Sequence, residues 1–326
     1  MRFHALLPVR DEEDIIRQSL AQVLTWADSV YVFDTGSADQ TWEIVQDVAT
    51  LDKRVIPLKK DAVFYSETRL RGWMFHQARQ QMRKGDWFVR VDADEFHHIP
   101  PPDFVKHRMR KHETVAYHQY YDFQLTQSEA RKLETSNQIV EERNLPIEVR
   151  RRCFVPSRYT EPRLCRYREA MQWPPSVSFP FNAGFIARAR IPIRHYPHRD
   201  PFQLQLRCRL RAVMMADEQN RSHWSQPELH HWTESEWKKL IVPDDLAVLE
   251  VWQPGTDLPE PHFTNHLARP HIRVIQRFAH GFFLPMLDKT RRRYPPDAYP
   301  QKIPSGLLNG LNQELQQLRN SQCLPH

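Results

Sequence analysis

Glycine is scarce in this chain, at 8 of 326 residues. So few glycines exclude the Gly-rich loops that cradle phosphates with backbone amides. No GxGxxG follows the first apolar run, where the sequence reads PVRDEED, so an NAD or FAD site is not expected. Cysteine is scarcer, at 4 (Cys153, Cys165, Cys208 and Cys323), and no pair has CxxC spacing. A zinc knuckle or redox pair is thereby excluded, and the thiols read as reduced and structural, as in a cytoplasmic protein. Long apolar runs are missing too. No window approaches the roughly 18 apolar residues of a membrane span. The opening MRFHALLPVRDEED carries too short an apolar run for a signal peptide. Asp34-Thr35-Gly36-Ser37 resembles the catalytic loop of an aspartic protease, but a second such loop is absent. Two are needed so that two carboxylates share a proton, which excludes a protease.

What is present is proline (26), an apolar fraction of 40% and a charged fraction of 26%, with a net charge of +6. The length suits one large domain or two modest ones. A moderately basic surface suits an acidic partner such as a nucleotide, a phosphorylated substrate or an anionic bilayer.

Periodicity over the first 92 residues alternates strand and helix. FHALLPV reads as a buried strand, followed by a helix with Ile15, Ile16, Leu20, Val23 and Leu24 on one face. Val30–Phe33 is a second strand, and Ser37 with Gln40 fits a capping box for the helix carrying Trp42, Val45 and Val48. RVIPL, a helix through Leu70–Met82, and DWFVRV complete a β-α-β-α-β-α-β order. This predicts an α/β fold with a mostly parallel sheet flanked by helices, and a ligand site beyond the carboxyl ends of the strands. Further on, TVAYHQYYDF, EVRRRCFV, PRLCRYR and GFIARARIPIRHY read as strands of a mixed region. Residues 127–143 read as one charged helix and 201–219 as a basic one, with helices also expected over HIRVIQRFAHGFFLPML and GLLNGLNQELQQLR.

Asp34, at the end of the second strand, is placed to accept hydrogen bonds from a base or a ribose hydroxyl. Without a Gly loop, a diphosphate needs a cation. Asp92, Asp94 and Glu95 follow the fourth strand directly, and hard oxygen ligands of this kind suit Mg²⁺ or Mn²⁺.

These residues resemble a family. LLPVRDEEDIIRQSLAQVLTWADSVYVFDTGSADQTWEIV is similar to the N-terminal half of family 2 glycosyltransferases, and GDWFVRVDADEF resembles their Asp-x-Asp segment. RHYPHRDPFQLQLRCRLR, 194–211, is similar to a His-Tyr-x-x-Arg-x-x-x-Gln segment of bacterial members. The resemblance implies a GT-A fold, a nucleotide-sugar donor and inversion at the anomeric carbon. It implies that Pro8, Arg10 and Glu12 line the nucleotide pocket, that Asp34 contacts the base and that Asp39 matches the second acid of the Gly-Ser-x-Asp stretch. Asp92 is then near the ribose, Asp94 on the metal, and Arg69 or Arg71 the arginine before the motif. His195 is expected as a second metal ligand, since a neutral imidazole suits Mn²⁺, with Arg199 reaching a phosphate. The sequence departs from the family in lacking an obvious acidic pair for the base; Glu161 and Asp122 are the best placed.

The resulting expectation is a GT-A catalytic domain over 1–219 and a mainly helical, Trp/His/Pro-rich extension over 220–326. The expected activity is metal-dependent sugar transfer to a hydroxyl of a glycan or glycolipid, in the cytoplasm and at the inner face of the membrane. The alternatives are a nucleotidyltransferase and a non-catalytic nucleotide- or carbohydrate-binding relative. No recognition fold for nucleic acid is seen. Zinc at His262 and His266, or at His230 and His231, is disfavoured by too few ligands. Trp224, Trp232, Trp237 and Trp252 are read as core packing of a small subdomain or as sugar-stacking faces.

Overall fold

The computed structural model describes all residues except 66–67, 134, 176, 182, 215–233, 261–270, 272–273, 276–277, 279–298 and 322–326. β1 (Phe3–Val9), β2 (Ser29–Asp34), β3 (Val55–Lys60) and β4 (Trp87–Arg90) form a parallel block in the order β3-β2-β1-β4. The helices α1 (Ile16–Leu24), α2 (Thr41–Leu51) and α3 (Arg69–Ala78) connect them. Strand alternation divides the core between the two faces of the sheet. Phe3, Ala5, Leu7 and Val9 pack with Ile16, Leu20, Val23 and Val45 on one face. Leu6 packs with Leu70, Met74 and Phe75 on the other. A fully buried parallel strand needs apolar residues on both faces, which is why β1 reads as an unbroken apolar run.

Beyond β4 the sheet turns antiparallel. β5 (Glu95–His97) follows β4 at once, and α4 (Pro101–Arg108) leads to the long β6 (Glu113–Phe123). After α5 (Gln127–Arg131), α6 (Ser136–Arg143) and α7 (Ile147–Arg150) come β7 (Cys153–Pro156) and β8 (Pro162–Arg166). β8 lies between β4 and β6, antiparallel to both. β9 (Phe185–Ile186) and β10 (Ile191–His195) both pair parallel with β6, and β10 also pairs antiparallel with β5. α8 (Pro201–Met214) follows, then β11 (Glu250–Val251) against β7, and finally α9 (Ser305–Ser321).

The described part of the C-terminal region packs on the rest. Trp252 is buried in the main core. Leu311 and Leu315 of α9 pack on Leu206 of α8, and Arg319 donates to Ala38 O at 3.1 Å. Val63 bridges to Lys302, and Ile303 N donates to Ala62 O.

Several local expectations are corrected. The charged helix over 127–143 is two helices, because Thr126 and Thr135 each build their own capping box and Leu133 turns inward between them. No Ser37–Gln40 box forms: Asp39 Oδ1 accepts from Thr41 N at the start of α2, while Ser37 Oγ accepts from Asp11 N. EVRRRCFV begins as the helical turn α7, and GFIARARIPIRHY is two strands. The helix predicted over 201–219 is described only to Met214, and most of HIRVIQRFAHGFFLPML lies outside the described residues. So do Trp224, Trp232, His230, His231, His262, His266 and Cys323.

Candidate active site

The parallel register brings the ends of three strands level: Val9 is opposite Asp34, and Leu6 opposite Arg90. A cleft of about 250 Å³ opens there. Its near wall comes from the end of β1 (Pro8), the segment after it (Arg10, Glu12) and Thr35. Its floor is the tight turn between β4 and β5, with Asp92, Asp94 and Glu95. Tyr120, Arg163, His195, Arg207 and Arg211 form the far wall.

The near wall is held by backbone hydrogen bonds. Asp34 is buried; its Oδ1 accepts from Gly36 N at 2.8 Å and Ser37 N at 2.6 Å, closing a turn on itself. Gly36 has φ +101, and a Cβ there would stand 2.8 Å from Ala62 Cα. Only glycine fits. Asp34 Oδ2 is buried without a hydrogen-bond partner, and burial raises the pKa of this carboxyl against the two amides that lower it. Asp11 adopts φ +51 and its Oδ1 accepts from Ala38 N, locking the segment after β1 to the turn after β2. Asp39 braces the same joint, accepting from Thr41 N and Glu13 N. Burial, and then the neighbouring Asp11, push the Asp39 carboxyl up to about 7. Thus Asp34 and Asp39 sit behind the cleft surface rather than on it. Arg10 lines the cleft: Nη1 donates to Thr35 O at 2.8 Å, Nε lies 3.5 Å from Asp11 Oδ2, and Nη2 has no hydrogen-bond acceptor.

The far wall is made of paired charges. Asp92 accepts from Arg71 Nη2 at 2.6 Å and from Arg163 Nη1 at 3.2 Å. Arg71 also reaches Tyr65 Oη at 2.7 Å, so of the two arginines proposed before the motif it is Arg71 that meets Asp92. Arg69 opens α3 and is not on the cleft lining. Asp94 accepts from Arg207 Nη1 at 2.7 Å, with His195 Nε2 at 3.6 Å. Burial opposes ionisation of Asp94, but Arg207 and His195 hold its pKa well below the usual carboxylate range. Glu95 accepts from Arg163 at 2.6 Å and from Tyr120 Oη, and burial still pushes it up to about 8.

His195, Glu95 and Asp122 lie level on three adjacent strands. His195 Nδ1 is 2.7 Å from Asp122 Oδ1, and its ring stacks on Tyr120 at 4.7 Å. Burial alone would lower the imidazole pKa; Asp94 and Asp122 outweigh it and raise it to about 10. Arg199 is not at the cleft surface. Its guanidinium is fully buried and donates to Asp14 at 2.6 and 2.9 Å, to Glu12 and to Tyr196 O. It ties the segment after β1 to the start of α8 instead of presenting a donor to a phosphate. Glu161 is also committed, to Arg163 at 2.8 Å, Arg90 at 3.4 Å and Tyr159 Oη at 3.2 Å.

Among the described residues, no cluster of three or more His, Cys, Asp or Glu closes around a cation. The donor set nonetheless fits one in part. Two ligands of an ion, each at about 2.1 Å, stand roughly 3 Å apart, close to the 3.6 Å between Asp94 Oδ2 and His195 Nε2. The Asp122–His195 contact is the outer-shell pattern that orients a metal-binding imidazole. Oxygens of a bound ligand would complete the shell.

Arg163 and Arg207 were not singled out by the sequence. Arg207 had a signal: it lies four residues from Arg211, and both reach the cleft from one face of α8. Arg163 had only strand alternation, which sets it on the face of β8 opposite Leu164.

A family model described as glycosyl transferase family 2 matches residues 5–190. The chain belongs to this family. The matched span holds the whole near wall and the floor; His195, Arg199 and Arg207 lie beyond it. With the family goes the GT-A fold, here a parallel block continued by antiparallel strands. A mannosyltransferase from Pyrobaculum calidifontis, solved with GDP-Man and Mn²⁺, is 16% identical over 39% of this chain and 36% of its own, with a TM-score of 0.29. A glucosyl-3-phosphoglycerate synthase from Mycobacterium tuberculosis, solved with Mn²⁺, UDP and glucosyl-3-phosphoglycerate, is 19% identical over 40% of this chain and 47% of its own, with a TM-score of 0.24. The chain therefore matches less than half the length of either. No curated protein sequence matches it.

Proposed function

We propose that the protein transfers a sugar from a nucleotide-sugar donor to a hydroxyl acceptor, with a divalent cation and with inversion at the anomeric carbon. One observation carries this reading: Asp94, His195, Arg207 and the Nη2 donor of Arg10 converge at the carboxyl edge of the parallel strands. Pro8, Arg10 and Glu12 would flank the nucleotide. Asp34 would hold the turn that sets Thr35 against the nucleotide rather than touch the base, and Asp92 would lie near the ribose. Asp94 and His195 would hold Mn²⁺ or Mg²⁺, which supplies positive charge for the departing diphosphate. Arg10 and Arg207 would donate to the same phosphates, where charge develops.

An attack from the face opposite the nucleotide requires removal of the hydroxyl proton by a carboxylate. Glu161 is turned away into Arg163, Arg90 and Tyr159. Asp122 commits only Oδ1, to His195, and is the better candidate of the two. No helix among the described residues is long and apolar enough to cross a membrane.

The test is calorimetry with UDP and GDP, with Mn²⁺ and with chelator, followed by an assay of diphosphate release from nucleotide sugars. Mn²⁺-dependent binding with release supports the reading. Equal affinity with chelator removes the metal from it, and binding without release on any acceptor marks a non-catalytic relative.

A further inference from the structure

A larger cavity, of about 380 Å³, lies on the reverse face of the strands that carry the cleft's far wall. Strand alternation puts it there. Tyr120 and Asp122 of β6 face the cleft side, so Gln119 and Tyr121 face this pocket; on β10, His195 faces the cleft and Pro192 the pocket. The cavity shares no lining residue with the cleft.

Its lining has two parts. Ile99, Phe104 and Leu258 give an apolar floor, and Arg108, Arg188 and Arg190 surround it. Arg190 is fixed in place. The Gln119 amide is buried, its Nε2 donating to Tyr120 O at 3.0 Å and Ser157 O at 2.7 Å, so Oε1 must face Arg190 and accepts from Nη1 at 3.1 Å. Arg190 Nε is buried without an acceptor. Burial also lowers the Arg190 pKa, as expected for a guanidinium lacking a counter-charge. Asp257 and Glu260 stand at the mouth, but both are solvent-exposed, and Asp257 faces His98 at 3.9 Å. Exposed, hydrated carboxylates do not meet the buried donor.

We propose that this pocket is a second binding site, for a phosphate or carboxylate group carried on an apolar body. A planar guanidinium with an unfilled donor suits an oxyanion. A bare anion would leave Ile99, Phe104 and Leu258 uncovered, and a neutral apolar molecule would leave the Arg190 donor unpaired; only the combination satisfies both halves.

Calorimetry on the intact protein tests this with hexyl phosphate, inorganic phosphate and hexyl glucoside, in chelator and without nucleotide. Hexyl phosphate is expected to bind about tenfold or more tighter than either of the others. The double substitution Arg188→Gln with Arg190→Gln should weaken it by about tenfold, and Leu258→Ser should weaken hexyl phosphate but not inorganic phosphate. Arg207→Ala, in the cleft, should leave it unchanged. Mn²⁺-dependent nucleotide binding by the Arg188/Arg190 variant should stay at the wild-type level, which separates this site from the proposed activity. No measurable binding, binding insensitive to Arg188 and Arg190, loss on Arg207→Ala, or equal affinity for inorganic phosphate would each overturn the proposal.

Discussion

The near wall and the floor of the cleft are both built on acids, yet they hold those acids in different ways. On the near wall Asp11, Asp34 and Asp39 accept from backbone amides of Ala38, Gly36, Ser37, Thr41 and Glu13. On the floor and far wall Asp92, Asp94 and Glu95 accept mainly from Arg71, Arg163 and Arg207. A backbone amide cannot leave without unfolding its turn; a side-chain cation can exchange its acid for a ligand. The near wall is thus a fixed frame and the far wall an exchangeable one. A bound cation or phosphate would be admitted by releasing side-chain pairs, not by bending the sheet.

If that contrast holds, the greatest loss of stability follows from cutting the link between the frame and α8. Arg199→Met leaves Asp14 and Glu12 buried without their partner. Breaking one member of such a pair is expected to cost about 3–5 kcal/mol in urea unfolding. A variant as stable as wild type, with weakened diphosphate binding, would instead make Arg199 a phosphate ligand. Gly36→Ala should rank next. It forces a side chain into φ +101 and against Ala62, and should cost about 2–3 kcal/mol. Asp94→Asn should behave in the opposite sense. It is expected to reduce nucleotide affinity in Mn²⁺ to the value in chelator, with a smaller loss of stability than Arg199→Met because His195 keeps Asp122 and Arg207 keeps Pro197 O as partners. A collapse of stability on Asp94→Asn would place it in the frame.

The frame, with the floor beside it, is also the part that was legible in the sequence. Apolar runs and their spacing define β1 to β4 and the helices between them, and short-range motifs locate Asp34, Asp92 and Asp94. Residues close in sequence make that wall, so local patterns carry it. The far wall draws Tyr120, Arg163, His195 and Arg207 from β6, β8, β10 and α8, and no local period links them. His195 was reached through a short motif. Arg199, from the same motif, was given the wrong surroundings, because only the tertiary packing shows that Asp14 and Glu12 lie within its reach. Asp39 and Asp34 read as ligand contacts because a sequence cannot show which carboxylates their own backbone will consume.

The most discriminating test concerns Asp122. This carboxylate was proposed as the base, and the geometry gives it a second task, holding His195 by Nδ1 at 2.7 Å. Mn²⁺ needs a neutral imidazole, and the His195 pKa is raised to about 10. Below that pH the ion must displace a proton, so apparent Mn²⁺ affinity should rise with pH, by up to about tenfold per unit. Asp122→Asn removes one of the groups that raise the imidazole pKa, so this rise should level off at a lower pH. It also removes the oriented outer-shell acceptor, which is worth about 10–100-fold in metal affinity. If Asp122 only positions His195, kcat at saturating Mn²⁺ stays near the wild-type value and the loss appears in the Mn²⁺ requirement at pH 9. If Asp122 is the base, kcat falls by about 10²–10⁴-fold while the Mn²⁺ requirement holds. A loss in both would show that the far wall joins metal binding and proton transfer in one carboxylate.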